Sequence, residues 1–189
     1  EALVTLKNAR FGPQKQGGLK GLAGRLSGRY LYELPWYVIV GAPGSGKTTA
    51  LRNSGLKFPL ADRMGEQAVR GVGGTRNCDW WFTDQAVLID TAGRFTTQDS
   101  DQATDSASWG GFLDMLKRAR PRQPLNGVLV TVSVSDLLTR TPTERQRYAA
   151  TVRQRVQELH ERLSIRCPSY RLVTKCDRRA GFMDNFGPL

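Results

Sequence analysis

The sequence predicts a three-layer α/β/α domain built on a mostly parallel sheet, and three observations carry that expectation. Short β-branched runs alternate with segments of helical periodicity, the pattern left by crossover-linked parallel strands. One run, Gly127–Val134, is nearly continuous in apolar residues, as a strand covered on both faces requires. The first apolar run, Trp36–Val40, leads directly into Gly41-Ala-Pro-Gly-Ser-Gly-Lys-Thr48, a glycine-rich loop that opens a helix.

The chain has 189 residues, enough for one well-buried domain, and an apolar fraction of 39 % that suits a soluble globular fold. Residues 1–33 read as a basic lead-in with scattered glycines and a weak Leu19, Leu22, Leu26 stripe, and 34–189 as the folded unit. No stretch approaches 18 apolar residues, so neither a membrane span nor a signal peptide is expected within these residues. A start at Glu1 rather than Met suggests a piece of a longer protein. Cys78, Cys167 and Cys176 are widely spaced and lack metal-like clustering, which predicts reduced thiols in a cytosolic compartment. The net charge of +11 raises nucleic acid as a partner, but aromatic residues are not interleaved with the basic ones as stacking platforms. A solvated surface, or attraction of the lead-in to a membrane's cytoplasmic face, accounts for it better.

The elements follow in order. After the strand 36–40, a helix is expected from about Lys47 to Asn53, ending near Gly55. Residues 56–76 are polar and rich in glycine. Cys78–Phe82 and Ala86–Asp90, joined by a tight turn at Thr83-Asp84, predict a hairpin. Trp109, Phe112, Leu113 and Leu116 recur at helical spacing. Behind the strand 127–134, Thr141-Pro-Thr-Glu144 is a capping box with proline at the first helical position, and the helix it starts would bury Tyr148, Val152, Val156, Leu159 and Leu163. Tyr170–Thr174 is the final strand. In such a sheet the site lies outside the C-terminal ends of the strands.

Four groups of residues fall at those ends. In the loop 41–48 the glycines Gly41, Gly44 and Gly46 let the backbone turn tightly, so that amides there and at Ser45 and Thr49 point into one concavity. The helix adds its unpaired N–H groups; Lys47 would reach the outer phosphates, and the Thr48 hydroxyl would ligate magnesium. Thr75, before the hairpin, is a candidate magnesium ligand that engages only when the outer phosphate is present, making 56–76 a nucleotide-sensing switch. Asp90 closes an apolar strand where magnesium gives a carboxylate its reason to be, and the Gly93 amide would meet the outer phosphate. In Thr174-Lys-Cys-Asp177, Asp177 could accept two hydrogen bonds from a guanine-like edge while the stem of Lys175 lies over the base.

These strings together resemble a Ras-like G-domain of the P-loop NTPase class. More closely, Gly41–Thr49, Gly73-Gly-Thr-Arg-Asn-Cys-Asp-Trp-Trp-Phe82 and Val87-Leu-Ile-Asp-Thr-Ala-Gly-Arg94 resemble the cytoplasmic nucleotide-binding domain of the TssM/IcmF family, inner-membrane components of bacterial type VI secretion systems. The likeness covers roughly 34–189. It implies a magnesium-dependent GTP or ATP site and a cytoplasmic domain held between transmembrane helices. The implied partners are the inner-membrane subunit TssL, the outer-membrane lipoprotein TssJ and the baseplate, with no nucleic acid. A G-domain also needs a further loop near the base and a closing helix, which 178–189 hardly supplies.

Two departures qualify the activity. Arg94 stands where Ras-like enzymes place a water-orienting glutamine. Always protonated, it cannot be a base, though it could stabilise charge on the transferring phosphoryl or face solvent. Water would then need Gln98, Asp99 or a partner protein. Thr174 replaces the asparagine that braces the phosphate loop and has less reach, which softens the expected guanine preference. Slow hydrolysis serving a conformational switch is therefore expected. The alternatives are a non-hydrolysing scaffold of the same shape and a stand-alone GTPase or nucleotide kinase.

Overall fold

The computed structural model describes residues 29–58, 78–97 and 102–186. The lead-in up to residue 28, the switch segment with Thr75, and Gln98 and Asp99 lie outside the described residues. A 3₁₀ turn at Arg29–Tyr32 precedes β1 (Trp36–Val40), and the glycine-rich loop leads into α1 (Lys47–Arg52). The hairpin β2 (Cys78–Phe82) and β3 (Val87–Thr91) is followed by α2 (Arg94–Thr97) and α3 (Gln102–Ala119). Then come β4 (Gly127–Ser133), α4 (Val134–Thr139), α5 (Pro142–Leu163), β5 (Ser169–Thr174), a 3₁₀ turn at Cys176–Arg178 and α6 (Phe182–Phe186).

The strands make one five-stranded sheet in the order β2-β3-β1-β4-β5, parallel except for β2. The chain is thus an α/β domain with a mostly parallel sheet flanked by helices. β1 and β3 lie inside the sheet, and nearly every residue in them is buried, which is why their sequences are almost purely apolar. The hairpin turn is closed by Thr83, whose hydroxyl accepts from the amides of Gln85 (3.1 Å) and Ala86 (2.8 Å).

Two cores fill the faces. On one, Trp36, Val38, Trp80, Val87, Ile89 and Val128 meet Trp109, Leu113 and Leu116 of α3 and Leu159 and Leu163 of α5. On the other, α1 sends Leu51 against Ile39, Trp81 and Leu88. The capping box forms: the Thr141 hydroxyl accepts from the Glu144 amide (3.3 Å), and the Thr141 amide donates to the Glu144 carboxylate (2.7 Å). Val152 and Val156 of the expected stripe are half-buried, while Arg155, which no apolar pattern marks, is buried and paired with Glu158. α1 ends at Arg52, one residue before the expected limit. The run 127–134 stops one residue early because the Ser133 side chain accepts from the Asp136 amide (3.2 Å), capping a short helix that the continuous apolar run concealed. All three cysteines are free thiols, and burial pushes Cys78 up to about 11.

Arg120 is 1 % exposed at the end of the sheet opposite the glycine-rich loop. Its guanidinium lies 4.9 Å from the Tyr32 ring centre and 4.7 Å from that of Trp36. Asn126 Oδ1 accepts from Arg120 Nη1 (3.3 Å) and from the Trp36 amide (2.9 Å). Burial lowers the guanidinium pKa to about 10, so aromatic faces offset part of a desolvation that no carboxylate relieves. This stack fastens the 29–32 turn to the sheet. Arg120→Ala is expected to cost about 2–4 kcal/mol in urea denaturation, and Arg120→Met to recover most of that loss.

Candidate functional site

The loop between β1 and α1 takes its shape from glycines and its support from elsewhere. Gly44 and Gly46 have φ of 68° and 86°, backbone that glycine adopts without strain. At Gly46 the site of a Cβ lies 3.4 Å from Thr174 Cβ, an ordinary contact distance, so it is the positive φ that favours glycine there. The Gly41 amide donates to Thr96 Oγ1 (3.1 Å) and the Ala42 amide to the Tyr148 hydroxyl (3.1 Å), while the Ser45 carbonyl accepts from Thr174 Oγ1 (2.6 Å). Among the described residues, the amides of Gly44, Gly46, Lys47 and Thr48 have no protein acceptor.

Lys47 is folded back over the loop. Its Nζ donates to the carbonyls of Gly41 (2.8 Å) and Ala42 (3.0 Å), and only 8 % of the residue is exposed. Burial lowers its pKa, opposed by the charge of Asp90. Next to it, Thr48 Oγ1 donates to Asp90 Oδ2 at 2.6 Å. Asp90 is 1 % exposed; burial raises its pKa, while the Thr48 hydrogen bond and Lys47 pull it down. Its second oxygen, Oδ1, is buried with no hydrogen-bond partner among the described residues.

The segment after β3 crosses directly over the loop. A side chain at Gly93 would meet the Pro43 backbone nitrogen at 2.4 Å, so only glycine lets the two segments touch. Arg94 turns to α3: its Nε is 3.1 Å from Asp105 Oδ1, and its guanidinium lies 5.3 Å from the Phe95 ring centre. Arg94 is thus paired while its side chain stays partly exposed. Beyond β5, Lys175 has φ of 56°, and Asp177 is exposed in the following 3₁₀ turn. The expected shortfall in the reach of Thr174 is corrected: its hydroxyl meets the Ser45 carbonyl at 2.6 Å.

The structure therefore brings together Gly41–Thr49, Asp90–Gly93 and Thr174. Thr75 lies outside the described residues. An unpaired carboxylate oxygen beside a threonine hydroxyl is a hard-oxygen donor set that fits magnesium, which takes few protein ligands and completes its shell with water and phosphate. No group of three or more His, Cys, Asp or Glu side chains suited to a metal occurs among the described residues.

Residues 102–189 match the model of the IcmF-related N-terminal domain. Along its whole length the chain is 55 % identical to the type VI secretion system component TssM1 of Pseudomonas aeruginosa. The chain belongs to the TssM/IcmF family. It spans 16 % of the length of that relative.

In this family member the sequence reading passed over two supports of the loop. Tyr148 was expected only as part of the buried stripe of α5, yet its hydroxyl accepts from Ala42 and donates to the Thr131 carbonyl (3.4 Å). A tyrosine amid valines and leucines on a buried stripe is the signal that finds it, since a buried phenol needs a partner. Thr96 carries no comparable signal. Tyr148→Phe and Thr174→Val each leave a loop backbone group unpaired. Each is expected to cost about 1–3 kcal/mol in urea denaturation and to speed amide exchange at the loop.

Proposed function

We propose that this chain is a magnesium-dependent GTP- or ATP-binding domain of the Ras-like P-loop class, with slow hydrolysis, acting as a conformational switch in type VI secretion. The observation that carries this reading is the seat of Lys47, a nearly buried ammonium held by two carbonyls of its own loop. A phosphate in the concavity would offer it a charged acceptor in place of neutral ones, a stronger partner at the same position. Three further features support the reading. Loop amides stand unpaired, Thr48 faces Asp90, and an otherwise parallel sheet carries one antiparallel edge strand.

Each residue then has a task. The amides of Gly44, Gly46, Lys47 and Thr48 hold the phosphates, and Gly93, pressed on Pro43, presents its amide to the outermost one. Thr48 and Asp90, with Thr75, hold the magnesium. The bound ion would supply charge neutralisation between the outer phosphates. Lys175 and Asp177 read the base from the turn that Thr174 ties to the loop. Arg94 is held by Asp105, so charge stabilisation by Arg94 requires that pair to open, which favours slow turnover.

On this reading the domain works at the cytoplasmic face of an inner membrane, with TssL, TssJ and the baseplate as partners. The basic segment 1–33 then lies toward the membrane surface. Titration of GTP, ATP and their diphosphates, with and without magnesium, tests the reading. Lys47→Ala is expected to weaken nucleotide binding at least about 100-fold, or ~2.8 kcal/mol, and full binding by that variant overturns the assignment. Asp177→Ala is expected to erase any preference for guanine over adenine. Secretion that survives Lys47→Ala in cells would favour the scaffold reading instead.

A further inference from the structure

Between them α3 and α5 leave a groove of ≈ 340 Å³, at the small end of ligand-sized clefts. Trp109, Gly110 and Leu113 of α3 form its apolar side, and Glu158, Glu161 and Arg162 of α5 its charged side. Gly110 lets α5 come close, since a Cβ at that position would sit 2.9 Å from Arg162 Nη1. Two of the three charges are already matched. Arg162 is gripped by Asp114 of α3, and Glu158 is paired with Arg155 and accepts from Gln154 Nε2 (2.9 Å). Glu161 accepts from the neutral side chain of Gln157 (2.8 Å) and has no cation within ion-pair distance among the described residues. On a chain with a formal charge of +11, this unmatched carboxylate beside an apolar cleft is a place for an incoming cation. The groove also carries an unmet donor: Trp109 is 3 % exposed, and its indole N–H has no acceptor among the described residues.

We propose that the groove between α3 and α5 is a docking site for an arginine side chain of a partner protein. The guanidinium would fork onto the Glu161 carboxylate, a charge-assisted pair with its own geometry. Its aliphatic stem would lie on Trp109 and Leu113, which ask for no polar contact. A main-chain carbonyl beside that arginine would take the Trp109 N–H after a small tilt of the ring. A peptide-borne arginine thus answers both unmatched groups, whereas an acidic or purely apolar segment would bury Glu161 without a partner. The groove shares no lining residue with the glycine-rich loop, so the inference stands without the nucleotide reading.

The test follows the indole N–H signals of the isotope-labelled chain by NMR as N-acetyl-arginine methylamide is added, a probe with a carbonyl on either side of its guanidinium-bearing carbon. Loss of one of the four tryptophan signals in Trp109→Phe assigns the reporter. The Trp109 signal is expected to move downfield and to saturate with a Kd of about 1–10 mM. The citrulline counterpart, equal in shape but uncharged, is expected to bind about 5- to 10-fold more weakly, and Glu161→Gln to lose a similar factor. Glu161→Lys, which sets a like charge against the probe, is measured alongside and is expected to abolish binding. A Trp109 signal that stays still, equal affinity for the arginine and citrulline probes, or undiminished binding by Glu161→Gln overturns the inference. A lysine probe that binds as tightly as the arginine one overturns the choice of arginine. A Trp109 signal that shifts with the protein's own concentration assigns the groove to a second copy of this chain and overturns the partner.

Discussion

A loop that carries Gly41, Gly44 and Gly46 holds its shape poorly by itself, because glycine has wide backbone freedom and no side chain to pack. Besides the Lys47 ammonium on its own carbonyls, three hydroxyls from elsewhere in the chain fix its geometry. Thr96 comes from α2, Tyr148 from α5 and Thr174 from the end of β5, and each takes one backbone group of the loop. These contacts join segments 55, 106 and 129 residues apart in the chain, so correct assembly of the whole sheet is a condition for the loop to exist. They also divide the loop's backbone: groups at its entry and at Ser45 are paired within the protein, while the amides of Gly44, Gly46, Lys47 and Thr48 have no protein acceptor among the described residues. For the proposed phosphate, donors arranged in advance would reduce the ordering cost of binding.

The same centre concentrates buried charge. Lys47, Asp90 and Asp79 are each at least nine-tenths buried, a desolvation that a domain of this size tolerates only with local compensation. Carbonyls compensate Lys47, and a hydroxyl and the nearby ammonium compensate Asp90 in part. The unpaired Asp90 oxygen is what remains of that imbalance. Arg120 makes the contrast at the opposite end of the sheet, where a buried cation is held by two aromatic faces and an amide oxygen. That arrangement holds the chain entry in place and leaves no carboxylate oxygen waiting for a metal.

Local signals were legible in the sequence where the physics is local. The loop with its strand, the hairpin about Thr83, the capping box at Thr141 and the apolar rows of α3 and α5 all depend on residues within a few positions of one another. Asp90 was legible as well, because a carboxylate ending an apolar strand is anomalous on its face. Pairings across the fold were hidden. Nothing near Arg94 announces Asp105, since the two meet only when α3 packs beside α2. Asp79 sits in a string that identifies the hairpin, but its place opposite Asp90 comes from the register of the two strands. Thr174 was judged by the length of its side chain. The missing quantity is the closeness of the strand end to the loop, which the assembled sheet sets.

The bracing also decides how a change at the loop would travel. The match to the IcmF-related N-terminal domain begins at residue 102, so it takes in α3 and α5 and leaves out the glycine-rich loop. Those two helices are nonetheless the elements that Asp105 and Tyr148 tie back to the loop region. Arg162 of α5 forms a two-pronged ion pair with Asp114 of α3, with distances of 2.8 and 2.7 Å, so the helices are also joined to each other on their outer surface. In the proposed switch, phosphate would draw Lys47 from the carbonyls of Gly41 and Ala42, the same two residues whose amides Thr96 and Tyr148 hold. Strain at those residues passes to α5 through one phenol, while any opening of Arg94 from Asp105 acts on α3. Both routes end on helices whose outer faces are charged and exposed, where, in the proposed switch, a partner protein would sense small shifts without touching the nucleotide.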